Sequence, residues 1–370
     1  MKIVYVITKA DEIGGAQTHV KDLAILFKND GHDVTVIVGE EGIFTKQLRE
    51  NAITTIILSE LQRNISIFKD LYCTIKLRKL IKSINPDIVT LHSSKAGIIG
   101  RLSLMFTSIP VVFTAHGWAF TDGIPAHKKY IFIFIEKIFS YLADKIITVS
   151  NKDKELAIKY RVSTPSQQVV IHNGISDILL EECKQSKLAT DNIQLISVAR
   201  FSKQKDHITL FHALKEMHNQ NWHLTLVGKG PLLNQMINLA NVLGLTDNIS
   251  FLGEREDVKD LLRISDIFVL STNWEGLPIS IIEAMSVKLP IISTDVGGVN
   301  ELVSDEVNGY LIDPKNISQL AKKIDFLILN EEKREQFGLN SRNLFLEKFN
   351  INSMYIKTKN TYEVIIKEKK

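Results

Sequence analysis

Short apolar runs alternate with amphipathic segments of helical length along nearly the whole chain, and few folds accept that order. Residues 2–7 read as a strand, 16–28 as a helix, and 33–38 and 53–58 as two more strands. Further strands are predicted at 87–91, 111–114, 145–149 and 169–171. After Gly174 the chain turns polar, and the charged stretch 181–191 is the candidate linker. A second alternating series follows, with strands at 193–198, 223–227, 249–251, 267–270, 290–293 and 309–312 and helices at 206–217 and 232–243. From Asn316 onward the pattern is helical, and the last helix spans about 351–366. Alternation at this spacing predicts parallel sheets wrapped by helices, in an α/β chain of two doubly wound domains, 1–180 and 181–350. Ligands of such folds bind outside the carboxyl ends of the strands, so a cleft between two such edges is the expected site.

A length of 370 residues suits two domains, each able to bury a core. The formal net charge is only +3, which gives no ground for expecting a nucleic-acid partner. Cys73 and Cys183 have no metal-ligand spacing and read as reduced thiols of a cytoplasmic protein. The N-terminal apolar run meets an acidic pair and two glycines, so it reads as a first strand rather than a signal peptide. No apolar run approaches the length of a membrane span, and any membrane contact is expected to be peripheral.

The stretch Leu270 to Glu283, LSTNWEGLPISIIE, delivers a predicted strand through a polar loop to Pro278, where a helix can start without losing a hydrogen bond. A helix N-terminus at a sheet's carboxyl edge offers free N–H groups to a phosphate. Glu275 and Glu283 flank that anion site and would oppose a phosphate unless they face uncharged hydroxyls. A nucleotide-sugar has this layout, with hydroxyls at both ends and a diphosphate between them. The simpler alternative is a capping Glu275 and a solvated Glu283.

Glu275-Gly276-Leu277-Pro278 through Glu283 resembles the Glu, seven residues, Glu signature of retaining GT-B glycosyltransferases, in particular the family 4 group that builds bacterial surface polysaccharides. The resemblance implies a GT-B fold of two Rossmann-like domains, with the C-terminal helix, about 351–370, packing back on the first. It implies that Glu275 holds hydroxyls of the transferred sugar, that the amides of Gly276 and Leu277 approach the phosphate or sugar, and that Glu283 holds the ribose. Arg200 and Lys205, in VARFSKQKDH after a strand, resemble the family's cation pair on the departing diphosphate. Alone they fit a solvated basic loop more simply, and Lys203 competes with Lys205. Gly14 and Gly15 match the family's glycine-rich loop beside the diphosphate, although they lack dinucleotide-motif spacing. His116, directly after a strand, matches a histidine facing the sugar. His92, Ser94 and Asn173 match positions near the site, the first two on the acceptor side, and the loop of Gly253 and Arg255 matches the nucleobase seat.

Taken together, these matches imply a retaining transferase that moves a sugar from a nucleoside diphosphate, UDP favoured, to a hydroxyl of a glycan or lipid-linked precursor. No cofactor and no metal is expected. No Asp-x-Asp occurs, and no histidine or cysteine cluster is visible along the chain. A nucleotide-sugar 2-epimerase and a non-catalytic nucleotide-sugar-binding protein are the competing readings. A basic, aromatic stretch at 127–145 places Ile131, Ile135, Ile138, Phe139 and Leu142 at helical spacing. That spacing predicts a core-packing stripe. The alternative is peripheral contact with anionic lipid, helped by Arg63, Lys69, Lys76, Arg78, Lys79 and Lys82 on another helix.

Overall fold

A computed structural model describes residues 1–64, 66–121, 124–180 and 192–369, in two compact units. One unit comprises Met1–Asn173 with Ile351–Lys370, the other Gly174–Asn350. The division thus falls at Asn173/Gly174 rather than at 180/181. The candidate linker 181–191, with Cys183, lies outside the described residues.

The first unit is built on seven parallel strands: β1 (Lys2–Ile7), β2 (Asp33–Val38), β3 (Thr54–Ile57), β4 (Ile88–His92), β5 (Val111–Ala115), β6 (Lys145–Thr148) and β7 (Gln168–Val170). They lie in the order β3-β2-β1-β4-β5-β6-β7, so the chain reverses its direction of travel between β1 and β4. The connecting helices are α1 (Gly15–Asn29), α2 (Ile43–Glu50), α3 (Ile67–Ile84), α4 (Ser94–Leu104), α5 (Ala126–Ser140) and α6 (Asn151–Lys159). The second unit has six parallel strands: β8 (Ile193–Val198), β9 (Trp222–Val227), β10 (Ile249–Phe251), β11 (Ile267–Leu270), β12 (Ile291–Thr294) and β13 (Gly309–Ile312). Their order is β10-β9-β8-β11-β12-β13, with the reversal between β8 and β11. Its helices are α7 (His207–Glu216), α8 (Leu233–Val242), α9 (Val258–Arg263), α10 (Ile279–Ser286), α11 (Ile317–Leu329) and α12 (Glu331–Leu344). The last helix, α13 (Ile351–Lys369), belongs to the first unit.

Both faces of the first sheet are covered, which is why its strands are near-continuous apolar runs rather than alternating ones. One face packs Val20, Leu23 and Phe27 of α1 with Phe44 and Leu48 of α2 and Met354, Tyr362 and Ile365 of α13. The other packs Cys73 and Leu77 of α3, Ile99 of α4, Ile133 of α5 and Ala157 of α6. Sequence periodicity passed over α4 because its segment is short and carries two glycines. The structure explains them: a Cβ on Gly97 would sit 2.6 Å from the Phe113 ring, and one on Gly100 2.3 Å from Leu91. The glycines let α4 lie directly against β4 and β5.

α5 corrects the core-packing expectation. Its buried face is Ile133, Glu136 and Ser140, while Tyr130, Ile131, Phe134 and Ile138 are exposed. The reason is electrostatic. Arg101 of α4 is wholly buried, and its Nη2 donates to Glu136 Oε2 at 2.8 Å, with the guanidinium stacked 4.4 Å over Phe113. A buried guanidinium needs a carboxylate partner, so α5 turns Glu136 inward and leaves Ile131 and Ile138 of the predicted stripe exposed, while Ile135, Phe139 and Leu142 stay half-buried.

Candidate functional site

At the reversal point of the second sheet, the loop after β8 is laced to the loop after β11. Asp206 N–H donates to Ser271 O at 2.9 Å and Asn273 N–H to Gln204 O at 2.8 Å, and Lys205 forms an isolated bridge with Thr272. This lacing brings Lys205 onto Glu275. The Lys205 ammonium donates to Glu275 Oε1, which also accepts from Thr272 Oγ1 at 2.7 Å, while Gln204 Nε2 donates to Oε2 at 3.4 Å. Glu275 is only 8% exposed, so its charge is held by a partner ion and two neutral donors. The loop after β12 completes the support. Gly298 N–H donates to Gly276 O at 2.9 Å, and Gly297 runs so close that a Cβ there would lie 1.9 Å from Glu275 O.

Pro278 is the cap of α10 rather than its first residue, with φ −69°. Gly276 and Leu277 immediately precede it, and Glu283 lies half-buried within α10. Arg200 is exposed just past β8. Gly253 adopts φ +65° and accepts from Gly228 N–H at 2.7 Å. The Arg255 guanidinium is already paired, through Nε at 2.7 Å and Nη2 at 2.6 Å, with the Asp257 carboxylate. A cavity of about 450 Å³ beside the loop after β8 is lined by Lys205, Asn273, Gln235 and Lys315 but not by either glutamate.

In the first unit, Gly14 caps α1, its N–H donating to Gln17 Oε1 at 3.2 Å, and Gly15 opens the helix. Ser94 is exposed at the start of α4, whereas its neighbour Ser93 has φ +80° and a hydroxyl 2.8 Å from Thr8 Oγ1. Another cavity, of about 340 Å³, is lined by Thr8, Lys9, Gly39, Leu61 and Arg63, where β1 and β2 end.

His92, the last residue of β4, and His116, just past β5, meet with His92 Nδ1 2.9 Å from His116 Nε2. A third imidazole, His19 of α1, joins them edge-on to His116 at 4.9 Å between centroids, and its Nδ1 lies 3.1 Å from Asn173 Oδ1. One ring nitrogen from each of the three falls within 4.8 Å of the others. Linear spacing showed no such cluster, because the three residues come from different βα units. His19 was missed altogether, although its place four residues past Gly15, on the buried face of α1, was a usable signal. Thr272 and Gln204 were missed as well, since neither carries charge.

Burial lowers the pKa of all three imidazoles: His19 to about 4, and His92 and His116 well below the ordinary value, with charge on neighbouring histidines adding to the effect. All three are therefore neutral at pH 7. The unfolded chain protonates these residues near pH ~6.5, whereas folded His19 resists until about 4. Stability should thus fall as pH drops through that window, by up to about 1.4 kcal/mol per pH unit for each histidine. Urea unfolding at pH 7.5, 6 and 4.5 checks this, and His19→Gln should flatten the dependence.

Two family models match in tandem: Glycosyltransferase Family 4 over residues 13–177 and Glycosyl transferases group 1 over residues 180–344. An Escherichia coli UDP-Gal:alpha-D-GlcNAc-diphosphoundecaprenol alpha-1,3-galactosyltransferase is 32% identical over 355 residues, covering 91% of this chain and 90% of its own length. The capsular polysaccharide biosynthesis glycosyltransferase CapM of Staphylococcus aureus is 27% identical, covering 90% of each chain. Among solved structures, Anabaena Alr3699/HepE in complex with UDP and glucose superposes with a TM-score of 0.85 at 21% identity, over 98% of this chain and 100% of its own. A Rickettsia africae glycosyltransferase gives 0.83 at 23%, over 99% and 98%. The strand orders found here are thus those of a known fold, and the identity to the galactosyltransferase spans both sheets. The chain belongs to the GT-B glycosyltransferases, in the group that pairs a family 4 domain with a group 1 domain.

Proposed function

We propose that the protein is a retaining glycosyltransferase that moves a hexosyl or N-acetylhexosaminyl group from a UDP-sugar to a hydroxyl of a polysaccharide or lipid-linked oligosaccharide precursor, in capsule, exopolysaccharide or O-antigen synthesis. The observation that carries this reading is the buried Lys205–Glu275 pair beside the start of α10. It sets a carboxylate able to accept from sugar hydroxyls next to an ammonium able to meet a diphosphate. A UDP-sugar donor is supported by two relatives: the Escherichia coli galactosyltransferase uses UDP-Gal, and the Anabaena protein was solved with UDP-glucose.

In the proposed reaction Glu275 orients the sugar, Glu283 holds the ribose, and the amides of Gly276 and Leu277 with Gly14 and Gly15 approach the phosphates. Arg200 and Lys205 stabilise the diphosphate as the anomeric carbon–oxygen bond breaks. The acceptor oxygen bonds to the same face of that carbon, and its proton passes to the departing phosphate oxygen, so no enzymic nucleophile is required. His116, neutral at working pH, can give or take a hydrogen bond from the sugar without adding charge.

Incubating the protein with UDP-galactose, UDP-glucose, UDP-N-acetylglucosamine and a lipid-linked acceptor in excess chelator tests the reading. An α-linked product is expected, and a β-linked one overturns retention. A free epimerised nucleotide-sugar formed without acceptor would identify the 2-epimerase instead.

Contact with an anionic bilayer is part of the proposal. Among the described residues no helix is long and apolar enough to cross a membrane. α3 nevertheless exposes Ile67, Phe68, Leu71, Tyr72 and Ile75, and α5 exposes Tyr130, Ile131, Phe134 and Ile138, among the lysines of both helices. Apolar insertion with basic flanks suits a surface of anionic lipid. The protein should sediment with phosphatidylglycerol vesicles at low salt and dissociate at high salt. Replacing Phe68, Leu71 and Phe134 by serine should abolish sedimentation, and retained binding would remove this part of the proposal.

A further inference from the structure

A buried hydrogen-bonded chain runs from the C-terminal helix to His116. Tyr362 of α13, its ring stacked on Phe27, donates from Oη to Thr90 Oγ1 at 3.2 Å. Thr90 Oγ1 lies 3.0 Å from His92 Nε2, and His92 Nδ1 lies 2.9 Å from His116 Nε2. Tyr362, Thr90 and His92 are fully buried.

The direction of this chain follows from one hydroxyl. Thr90 Oγ1 already accepts from Tyr362, and among the described residues its only other side-chain partner is His92 Nε2. Were His92 the donor there, the Thr90 proton could go only to Tyr362, whose own hydroxyl proton would then be buried without an acceptor, because the neighbouring Tyr5 hydroxyl makes no hydrogen bond among the described residues. Thr90 therefore donates to Nε2, and a neutral His92 must carry its proton on Nδ1. That proton goes to His116 Nε2, and a neutral His116 must then carry its own on Nδ1.

We propose that Tyr362, Thr90 and His92 are positioning residues that hold His116 as the Nδ1–H tautomer, so that α13 determines which nitrogen is offered as a hydrogen-bond donor to a sugar oxygen. This rests on the reading above that His116 meets the sugar. Burial, which keeps all the imidazoles neutral, gives the chain a single polarity to transmit.

The test is long-range proton–nitrogen NMR on the full chain labelled with ¹⁵N-histidine at pH 7.5, with His116 assigned by its loss in His116→Gln, read beside kcat and KM for the UDP-sugar. Wild type should show His116 protonated at Nδ1 with an unprotonated Nε2. Thr90→Val, nearly isosteric, should mix the two tautomers and lower kcat about tenfold, the scale of one neutral hydrogen bond, with KM little changed. Thr90→Ser, which keeps the hydroxyl, should restore both readouts. Tyr362→Phe, which keeps the ring stack, should again mix the tautomers.

A wild-type spectrum with the proton on Nε2, or Thr90→Val spectra identical to wild type, overturns the chain while leaving the function of His116 intact if His116→Gln is inactive. Spectra as expected but full transfer in both Thr90→Val and His116→Gln overturn the use of the tautomer, and with it the role given to His116. Loss of kcat in Thr90→Val and in Thr90→Ser alike would mark the site as structural packing and also overturn the proposal.

Discussion

Lys205→Ala is expected to lose at least about a hundredfold of sugar transfer, on the order of 3 kcal/mol of transition-state stabilisation, while wild-type turnover persists in excess chelator. Arg200→Ala should lose a similar amount, because both cations are assigned the charge that develops on the departing diphosphate. The Lys205 side chain has a second role, since its ammonium is the charge partner of the buried Glu275 carboxylate. Removing one member of such a pair leaves an uncompensated buried charge and typically costs about 3–5 kcal/mol of stability. Lys205→Ala should therefore also unfold at lower urea. The double variant Lys205→Met with Glu275→Leu separates the two roles: stability should largely return, because apolar replacement of a buried pair is often neutral, while transfer should not. Glu283→Ala should raise KM more than it lowers kcat, as expected of a contact equal in ground and transition states. Abolition of wild-type transfer by chelator, or full transfer in Lys205→Ala, would overturn the mechanism.

Gly297→Ala should be nearly as damaging without touching a charged group. Gly297 has φ +57°, and a Cβ there would lie 1.9 Å from Glu275 O and 2.8 Å from Glu275 C. Left-handed backbone alone costs a non-glycine residue about 1–2 kcal/mol. The clash comes on top and is resolved only by moving the Glu275 backbone, which the Gly298–Gly276 hydrogen bond at 2.9 Å resists. A displacement of about 1 Å at an orienting carboxylate costs roughly a hundredfold in rate. Gly244→Ala is the control, since Gly244 has φ +69° but its nearest contact for a Cβ is Lys215 Nζ at 4.0 Å. It should show the backbone strain and little loss of transfer. Equal behaviour of the two variants in turnover and in urea unfolding would show that the close approach to Glu275 is of no consequence.

What the residues themselves determined was local. Parallel strands buried on both faces must be continuous apolar runs, and helices between them must be amphipathic, so β1, β2, β8, β10, β11 and β13 were legible to the residue. Pro278, the flanking glutamates and the cations after β8 could be placed at strand ends for the same reason. Pairing across the fold was not legible. Lys205 and Glu275 are 70 positions apart, and nothing near either names the other. Only the parallel registration of β8 with β11 brings their loops together. His19, His92 and His116 meet because α1, β4 and β5 converge, and Tyr362 reaches Thr90 because α13 returns to the first unit. α5 shows the same limit from the other side. Its helical period was visible, but which face turns inward was decided by the buried Arg101, a residue on a different helix. Period is a property of neighbours along the chain. The choice of buried face and the partner of a buried charge are properties of what the fold sets opposite, and only the tertiary structure decided them.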